Sequence, residues 1–336
     1  MERRLSPPLQ HIASKSSGEI RMPSSVVRAF SDPDEYAASI RNSKAEMTVT
    51  GRGQFSAKLI QVDFHRLWIQ RFSESLPRIA HSAHMGRAVV TFRTQPGPSL
   101  LWSGAEMRPT NIVRHSERES AFQHSSGSTS FAAMSVPVED MAAIGSAMAG
   151  FNLRPPKDML IHTPAPRAMA RLQRMHAAAG QLAKDAPEVI AHPEAARSLE
   201  QALIEGMVDC LSSGEVREDR SAQRRHSLIM HRFRRAVEEN PEQPLYIPEL
   251  CMAIGVSDRT LRVCCQEQLG MSPKRYLLLR RMNLARQALR DGFPDTTSVT
   301  EIATQFGFWQ FGRFAGEYKS LFGEAPSATL HRPRWQ

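Results

Sequence analysis

Apolar and polar positions along the chain change rhythm as it proceeds. Over residues about 30 to 160 the apolar residues come in short runs, Leu59–Val62, Leu67–Phe72, Ala88–Phe92, Ile112–Val113 and Ser130–Val136. Turn material such as GRG, QPGP and HSSGST separates them. In HRLWIQRF the alternation sets Leu67, Ile69 and Arg71 on one face and Trp68, Gln70 and Phe72 on the other, as in a partly buried strand. Short strands with Gly-rich turns predict an antiparallel barrel or sandwich. From Arg167 to Gln181 and from Pro193 to Leu211 the period lengthens, with Leu199, Leu203, Met207 and Leu211 on every fourth residue, and helices are expected. The polar stretch SSGEVREDRSAQRRHS (212–227) reads as a linker.

Beyond it one helical pattern is written twice, as ELCMAIGVSDRTLRVCCQEQLGMSP and EIATQFGFWQFGRFAGEYKSLFGEAP. Leu250 and Gly255 recur as Ile302 and Gly307; Leu261, Gly270 and Pro273 recur as Phe314, Gly323 and Pro326. The offset grows by one residue within the turn, where a loop tolerates it, so one supersecondary unit is used twice. In the first copy an apolar run (Leu250, Ala253, Ile254) stops at Gly255, and Ser257 stands where an N-cap belongs. Leu261, Cys265 and Leu269 make the buried stripe of the next helix, while Arg259, Arg262 and Gln266 share its exposed face. Helix, tight turn and basic second helix are the helix-turn-helix, whose second helix lies in the major groove. A single copy is more commonly an ordinary helical hairpin in a core; two matched copies with outward arginines favour DNA.

Residues about 228 to 330 resemble the DNA-binding domain of AraC/XylS-type transcriptional regulators. The matching residues are G255-V256-S257-x-R259-x-L261, L269-G270-x-S272-P273-x-x-Y276, R281-x-x-x-A285-R286-x-x-L289, I302-A303-x-x-x-G307-F308, F314, Y318-K319, F322-G323 and P326. The resemblance implies seven helices, with a long one from Pro273 to Asp291 joining the two units. At ~1.5 Å per residue that helix is about 28 Å long, suited to recognition helices in successive major-groove turns. It also implies DNA contacts at Ser257, Arg259, Thr260, Arg262 and Gln266 in the first unit and Trp309, Arg313 and Lys319 in the second. Where many relatives carry Arg and Phe this chain has Val263 and Cys265, the latter small but apolar enough to fill part of a Phe site. Gly312, Ala315 and Gly316 stand where Arg259, Arg262 and Val263 stand in the first copy. The first unit is therefore expected to read bases and the second mainly to dock.

In such regulators a cupin-like sensor or dimerisation module precedes the DNA-binding domain, followed by helices that pair protomers. The expected architecture is α+β: an arm over 1–25, a β-rich barrel or sandwich with helices over 26–212, a linker over 213–227 and an all-α double helix-turn-helix domain over 228–330. Double-stranded promoter DNA, a second copy of the chain, a small-molecule effector and, for an activator, RNA polymerase are the partners this implies. Metal-binding cupins use a close His-x-His, whereas this chain offers His81, His84, His115 and His124, which read as surface residues. No metal, cofactor or catalytic residue is assigned. Trp68, Phe92 and Trp102 are candidate walls of a barrel interior.

Charge agrees with a polyanionic partner. The 336 residues carry a net +9, and from Arg224 onward 17 Lys/Arg stand against 11 Asp/Glu, so +6 of it lies in the repeat-bearing third. Four cysteines without CxxC spacing read as reduced thiols of the cytoplasm. The chain has no run of ~18 apolar residues and no apolar signal core, so a membrane span and a secretory signal are not expected. GxSxG, HExxH, GxGxxG and GxxxxGK[ST] are absent. Two other function classes stay open. One is a DNA-repair-type enzyme with a DNA-binding tail, for which Cys210 is the one cysteine outside the repeats. The other is a non-specific architectural protein.

Overall fold

Five apolar runs do form strands, and they belong to one sheet. In this computed structural model, which describes residues 22–41, 43–84, 86–116, 121–217, 221–239 and 245–332, they become β3 (Ala57–Asp63), β4 (Trp68–Glu74), β6 (Arg87–Arg93), β9 (Ile112–Arg114) and β11 (Thr129–Pro137). With β1 (Ser24–Phe30), β12 (Leu160–Thr163) and β13 (Glu215–Arg217) they build an antiparallel sheet in the order β1-β3-β4-β11-β6-β9-β12-β13. A second sheet, β2-β5-β10-β7-β8, consists of β2 (Ser43–Val49), β5 (Arg78–His84), β7 (Leu100–Trp102), β8 (Ala105–Glu106) and β10 (Ala121–Ser125). The N-terminal region is thus the expected β-rich sandwich with helices.

Strand alternation divides the large sheet between two cores. The α-helices described in this region are α1 (Pro33–Ser39), α2 (Val138–Ile144), α3 (Pro166–Asp185), α4 (Pro187–Ala191) and α5 (Pro193–Ser212), and Ile60, Val62, Ile69, Val90, Phe92, Ala132 and Met134 point to α3 and α5. Leu59, Phe72, Val89, Phe131 and Ala133 point inward to Met47 and Trp102 of the smaller sheet. Leu67 and Phe72 are buried on opposite faces, so β4 has apolar cover on both sides, while Trp68 and Arg71 stay half-buried and Ser73 exposed. Proline opens α3 and α5 at their first turn, where its missing N–H costs nothing. Buried Glu200 of α5 accepts the Arg66 and Leu67 amides at 2.6 and 2.7 Å, fixing the helix on the β3–β4 turn.

The C-terminal region has, among the described residues, the expected seven helices: α6 (Ser221–Glu238), α7 (Ile247–Ile254), α8 (Asp258–Leu269), α9 (Pro273–Asp291), α10 (Val299–Gln305), α11 (Phe311–Phe322) and α12 (Pro326–Leu330). The central helix has the bounds its sequence predicts. Cys265 is fully buried with its Sγ 3.9 Å from Met230 Sδ, so a methionine of α6 occupies space beside the smaller residue.

Three expectations need correction. The described part of 213–227 is not an open linker: β13 pairs with β12 and α6 starts at Ser221, its stripe Ile229, Met230, Phe233 and Val237 buried in the first helix-turn-helix core. Backbone pairing alone recruits β13, whose Val216 side chain remains exposed, so residue polarity could not report it. The arm expected over 1–25 lies outside the described residues as far as 21, and Ser24 and Ser25 already pair with β3. His81 and His115 are buried rather than on the surface: His81 of β5 packs edge-on against Phe122, and His115, just after β9 of the large sheet, lies 2.9 Å from Thr91 Oγ1 and against the Trp102 ring.

Candidate nucleic-acid interface

Each helix-turn-helix is built by local sequence. The first helix, α7, ends at Gly255 in the left-handed region (φ 71°), its amide bonded back to Cys251 and Met252 carbonyls. Ser257 then caps α8, its Oγ accepting from the Thr260 amide at 3.2 Å. Leu261, Cys264, Cys265 and Leu269 bury one side of α8, leaving Arg259, Arg262, Val263 and Gln266 exposed on the other. Thr260 is half-buried with its hydroxyl 2.9 Å from Ser257 Oγ, which ties both hydroxyls to the cap. Arg262 lies beside Asp258 at 2.8 Å, an exposed i,i+4 pair that a phosphate or base edge can displace.

The second unit repeats the frame with different chemistry. Ser298 and Glu301 form a capping box at the start of α10, and Gly307 (φ 73°) turns the chain. Gln310 precedes α11 without a side-chain cap. Phe314, Tyr318, Leu321 and Phe322 are buried, whereas Trp309, Arg313 and Lys319 are exposed. Arg313 pairs with Glu317 at 2.8 Å. A Cβ added at Gly312 or Gly316 would meet nothing within 4 Å, so neither glycine serves helix packing. Phe311, the first residue of α11, is 43% exposed and is not among the contacts expected from the sequence. The signal available was its register, since Phe311 matches Asp258 at the start of α8. Arg281 of α9 joins the two units, donating to the Phe306 carbonyl at 3.3 Å and lying 5.0 Å over the Phe308 ring.

A cavity lies inside the sandwich, between its two sheets. Met47, Phe72, Val89, Trp102, Phe131 and Ala133 supply much of its apolar wall. Of the three candidate walls only Trp102 lines it: Phe92 faces the helices and Trp68 stacks under Arg87 at 3.8 Å. Its polar side is a buried chain in which Tyr36 donates to Glu74 (2.9 Å) and Arg78 donates to Glu74 (2.8 Å) and Gln123 (2.9 Å). Among the described residues Arg78 Nη1 and Trp102 Nε1 are buried donors without a partner.

The DNA-binding region packs on the outer face of the smaller sheet. Ile79 and Phe122 share a core with Phe233, Leu261 and Tyr276. Asn283 of α9 accepts from the Val49 amide at 3.0 Å and donates to its carbonyl at 3.1 Å, standing in for a neighbouring strand at the edge of β2. Arg280 pairs with Glu46 at 2.9 Å, Arg286 with Asp32 at 2.7 Å, and Arg290 with Asp32 and Glu35. Burial pushes the Asp34 carboxyl up to about 6, against the pull of Arg286. All four cysteines are buried, and burial raises the Cys210 thiol to about 12.

Residues 250–332 match the helix-turn-helix domain family. The "Probable thc operon regulatory protein" of Rhodococcus erythropolis is 45% identical over 94 residues, 28% of this chain and 28% of that protein. The XylDLEGF operon transcriptional activator 3 of Pseudomonas putida is 38% identical over 96 residues, 29% of each. The chain thus spans under a third of the length of these relatives. Among solved structures, the AraC-like transcriptional activator CuxR aligns over 79% of this chain and 95% of its own at 12% identity, with a TM-score of 0.42. No helix among the described residues is long and apolar enough to cross a membrane.

Proposed function

We propose that this chain, an AraC/XylS-family protein with a C-terminal double helix-turn-helix DNA-binding domain, is a sequence-specific transcriptional regulator whose activity is set by its N-terminal domain. The observation that carries this reading is the exposed Arg259, Arg262 and Gln266 face on a Ser-capped helix following a left-handed glycine. Arginine pairs bidentately with guanine O6 and N7, and glutamine with adenine, so this face can tell base pairs apart. Purified full-length chain should enrich a defined motif from random duplex DNA. Across a salt titration it should hold that motif ~10³-fold or more above random sequence. Equal affinity for both at every salt concentration would mean a non-specific architectural protein. A repair enzyme acting through a thiolate is disfavoured, since it needs an accessible thiol of low pKa, and Cys210 is buried with its pKa raised.

The cavity supports an effector site for a small, largely apolar molecule carrying a hydrogen-bond acceptor for Arg78 Nη1 or Trp102 Nε1. Glu74 already neutralises Arg78, so a neutral acceptor satisfies the pocket without a second counter-charge. β2 supports a route from this site to the DNA-binding domain: Ala45 and Met47 line the cavity, while Glu46 and Val49 hold Arg280 and Asn283. Pairing of two copies, contact with RNA polymerase and a cytoplasmic setting complete the reading and rest on the family. Screening small aromatic and aliphatic carbonyl compounds by thermal shift tests the pocket. A hit should lose its effect in Trp102→Phe, which removes the donor and keeps a ring.

A further inference from the structure

We infer that the second helix-turn-helix reads thymine methyl groups by apolar contact through Phe311, and is not only a docking unit. This deepens the regulator reading and rests on it. Three observations converge on α11. Its register against α8 places Phe311 at the Asp258 position, Gly312 at Arg259 and Ala315 at Arg262. The N-terminal residues of a recognition helix are those that reach base edges. Phe311 is 43% exposed although aromatic, and Trp309, just before the helix, is 72% exposed. Phe314, Tyr318 and Phe322 fill the unit's own core, so Phe311 is not needed there.

Gly312 and Gly316 have open space where side chains would stand, and Ala315 between them adds a single methyl. The outward face is therefore a bare, apolar strip along which the helix backbone can come close to the floor of the groove. Hydrogen-bond donors at the start of this helix are few: Arg313, in an exposed pair with Glu317 like that of Arg262 with Asp258, is one, and Lys319 lies two turns further on. In the major groove the one apolar feature that distinguishes a base pair is the thymine C5-methyl, which Phe and Ala contact favourably. The first unit, with Arg259 and Arg262, suits guanine. The second suits thymine, so an operator should carry unlike half-sites about one helical turn apart.

The test uses the full-length chain and the DNA motif it enriches. Each thymidine of the second half-site is replaced in turn by deoxyuridine, which removes the methyl and leaves every hydrogen-bonding group in place. At one or two positions affinity should fall about fourfold, the equivalent of exposing one buried methyl group. Phe311→Ala should bind weaker and show no further loss on uridine substitution, whereas Phe311→Leu should keep most of the penalty. Binding to the first half-site alone should be unchanged in both variants, which separates a lost contact from a misfolded domain. A second half-site indifferent to uridine, or a penalty that persists in Phe311→Ala, overturns the inference. So does a Phe311→Ala chain that binds DNA normally yet fails to activate transcription, which would assign the patch to a protein partner. Failure of the regulator reading itself looks different: no motif is enriched at all.

Discussion

Arg259 and Arg262 are both exposed on α8 but differ in their surroundings. Arg262 is paired with Asp258, whereas no hydrogen bond or ion pair from the described residues engages Arg259. Arg259→Ala should therefore relax preference at one or two adjacent base pairs, costing roughly ten- to hundredfold on the enriched motif and little on random DNA. Competition binding against single-base variants measures this; an equal loss on both DNAs would make Arg259 a phosphate contact. Lys319→Ala should weaken specific and random DNA alike and reduce the salt slope by about one. These arginines were legible in sequence because helical period alone fixes which side chains share a face. Thr260 and Ser257 were harder to judge, since a hydroxyl near a helix start serves cap and ligand equally well.

Elements were recovered from sequence in proportion to how far their neighbours are local. Helices α8 and α9 carry their stop and start signals within a few residues, Gly255, Ser257, Gly270 and Ser272, each in the backbone state its residue type favours. Gly270 does more than end a helix: a Cβ there would fall 2.4 Å from His124 of β10, so the turn also needs a bare backbone to dock. The strands of the smaller sheet, SKAEMTV, RIAHSAH and AFQHS, lack apolar runs because cavity and DNA-binding domain cover them with polar as well as apolar partners. β2 is the clearest case. Asn283→Ala would leave the Val49 amide and carbonyl unpaired at a buried edge, and about 1–3 kcal/mol of stability should be lost. Chemical denaturation of the full chain measures that loss; an unchanged midpoint would mean water replaces the amide without cost.

At the scale of the whole molecule, the two domains share apolar surface. A fragment beginning at residue 221 should fold, because it keeps Ile229, Met230 and Phe233, but one beginning at 240 should not. Even the longer fragment exposes what Ile79 and Phe122 cover, so it should be less stable than the domain in the full chain; a thermal scan of both fragments decides. Burial dominates the lowered pKa of three histidines, with nearby cations adding to it. His81 falls to about 3 (Arg234, His231), His162 to about 4 (Arg114) and His176 to about 3 (Arg71). Unfolded histidine takes its proton near pH 6.5, so between there and about pH 4 the unfolded chain binds more protons from these groups. Their contribution is present above pH 6.5 and lost as pH falls. Denaturation midpoints should therefore drop on acidification, and His176→Gln, which keeps an acceptor for Arg71, should flatten the slope. A slope unchanged in that variant would mean His176 is protonated in the folded state.

The sequence by itself determined the duplicated helix-turn-helix, the length of α9, five of the eight strands of the large sheet and the basic face of α8. Each depends on periodicity and on caps set by residues within about one turn of each other. Tertiary structure alone decided what the remaining polar residues do. Arg280, Asn283, Arg286 and Arg290 lie on a helix that reads as DNA-binding, yet they face Glu46, Val49, Asp32 and Glu35, more than two hundred residues earlier. Arg78 and Trp102 become a cavity's unpaired donors only when two sheets close on each other. A side chain's period reports which face it occupies, whereas its partner is set by whatever distant surface the fold presses against that face.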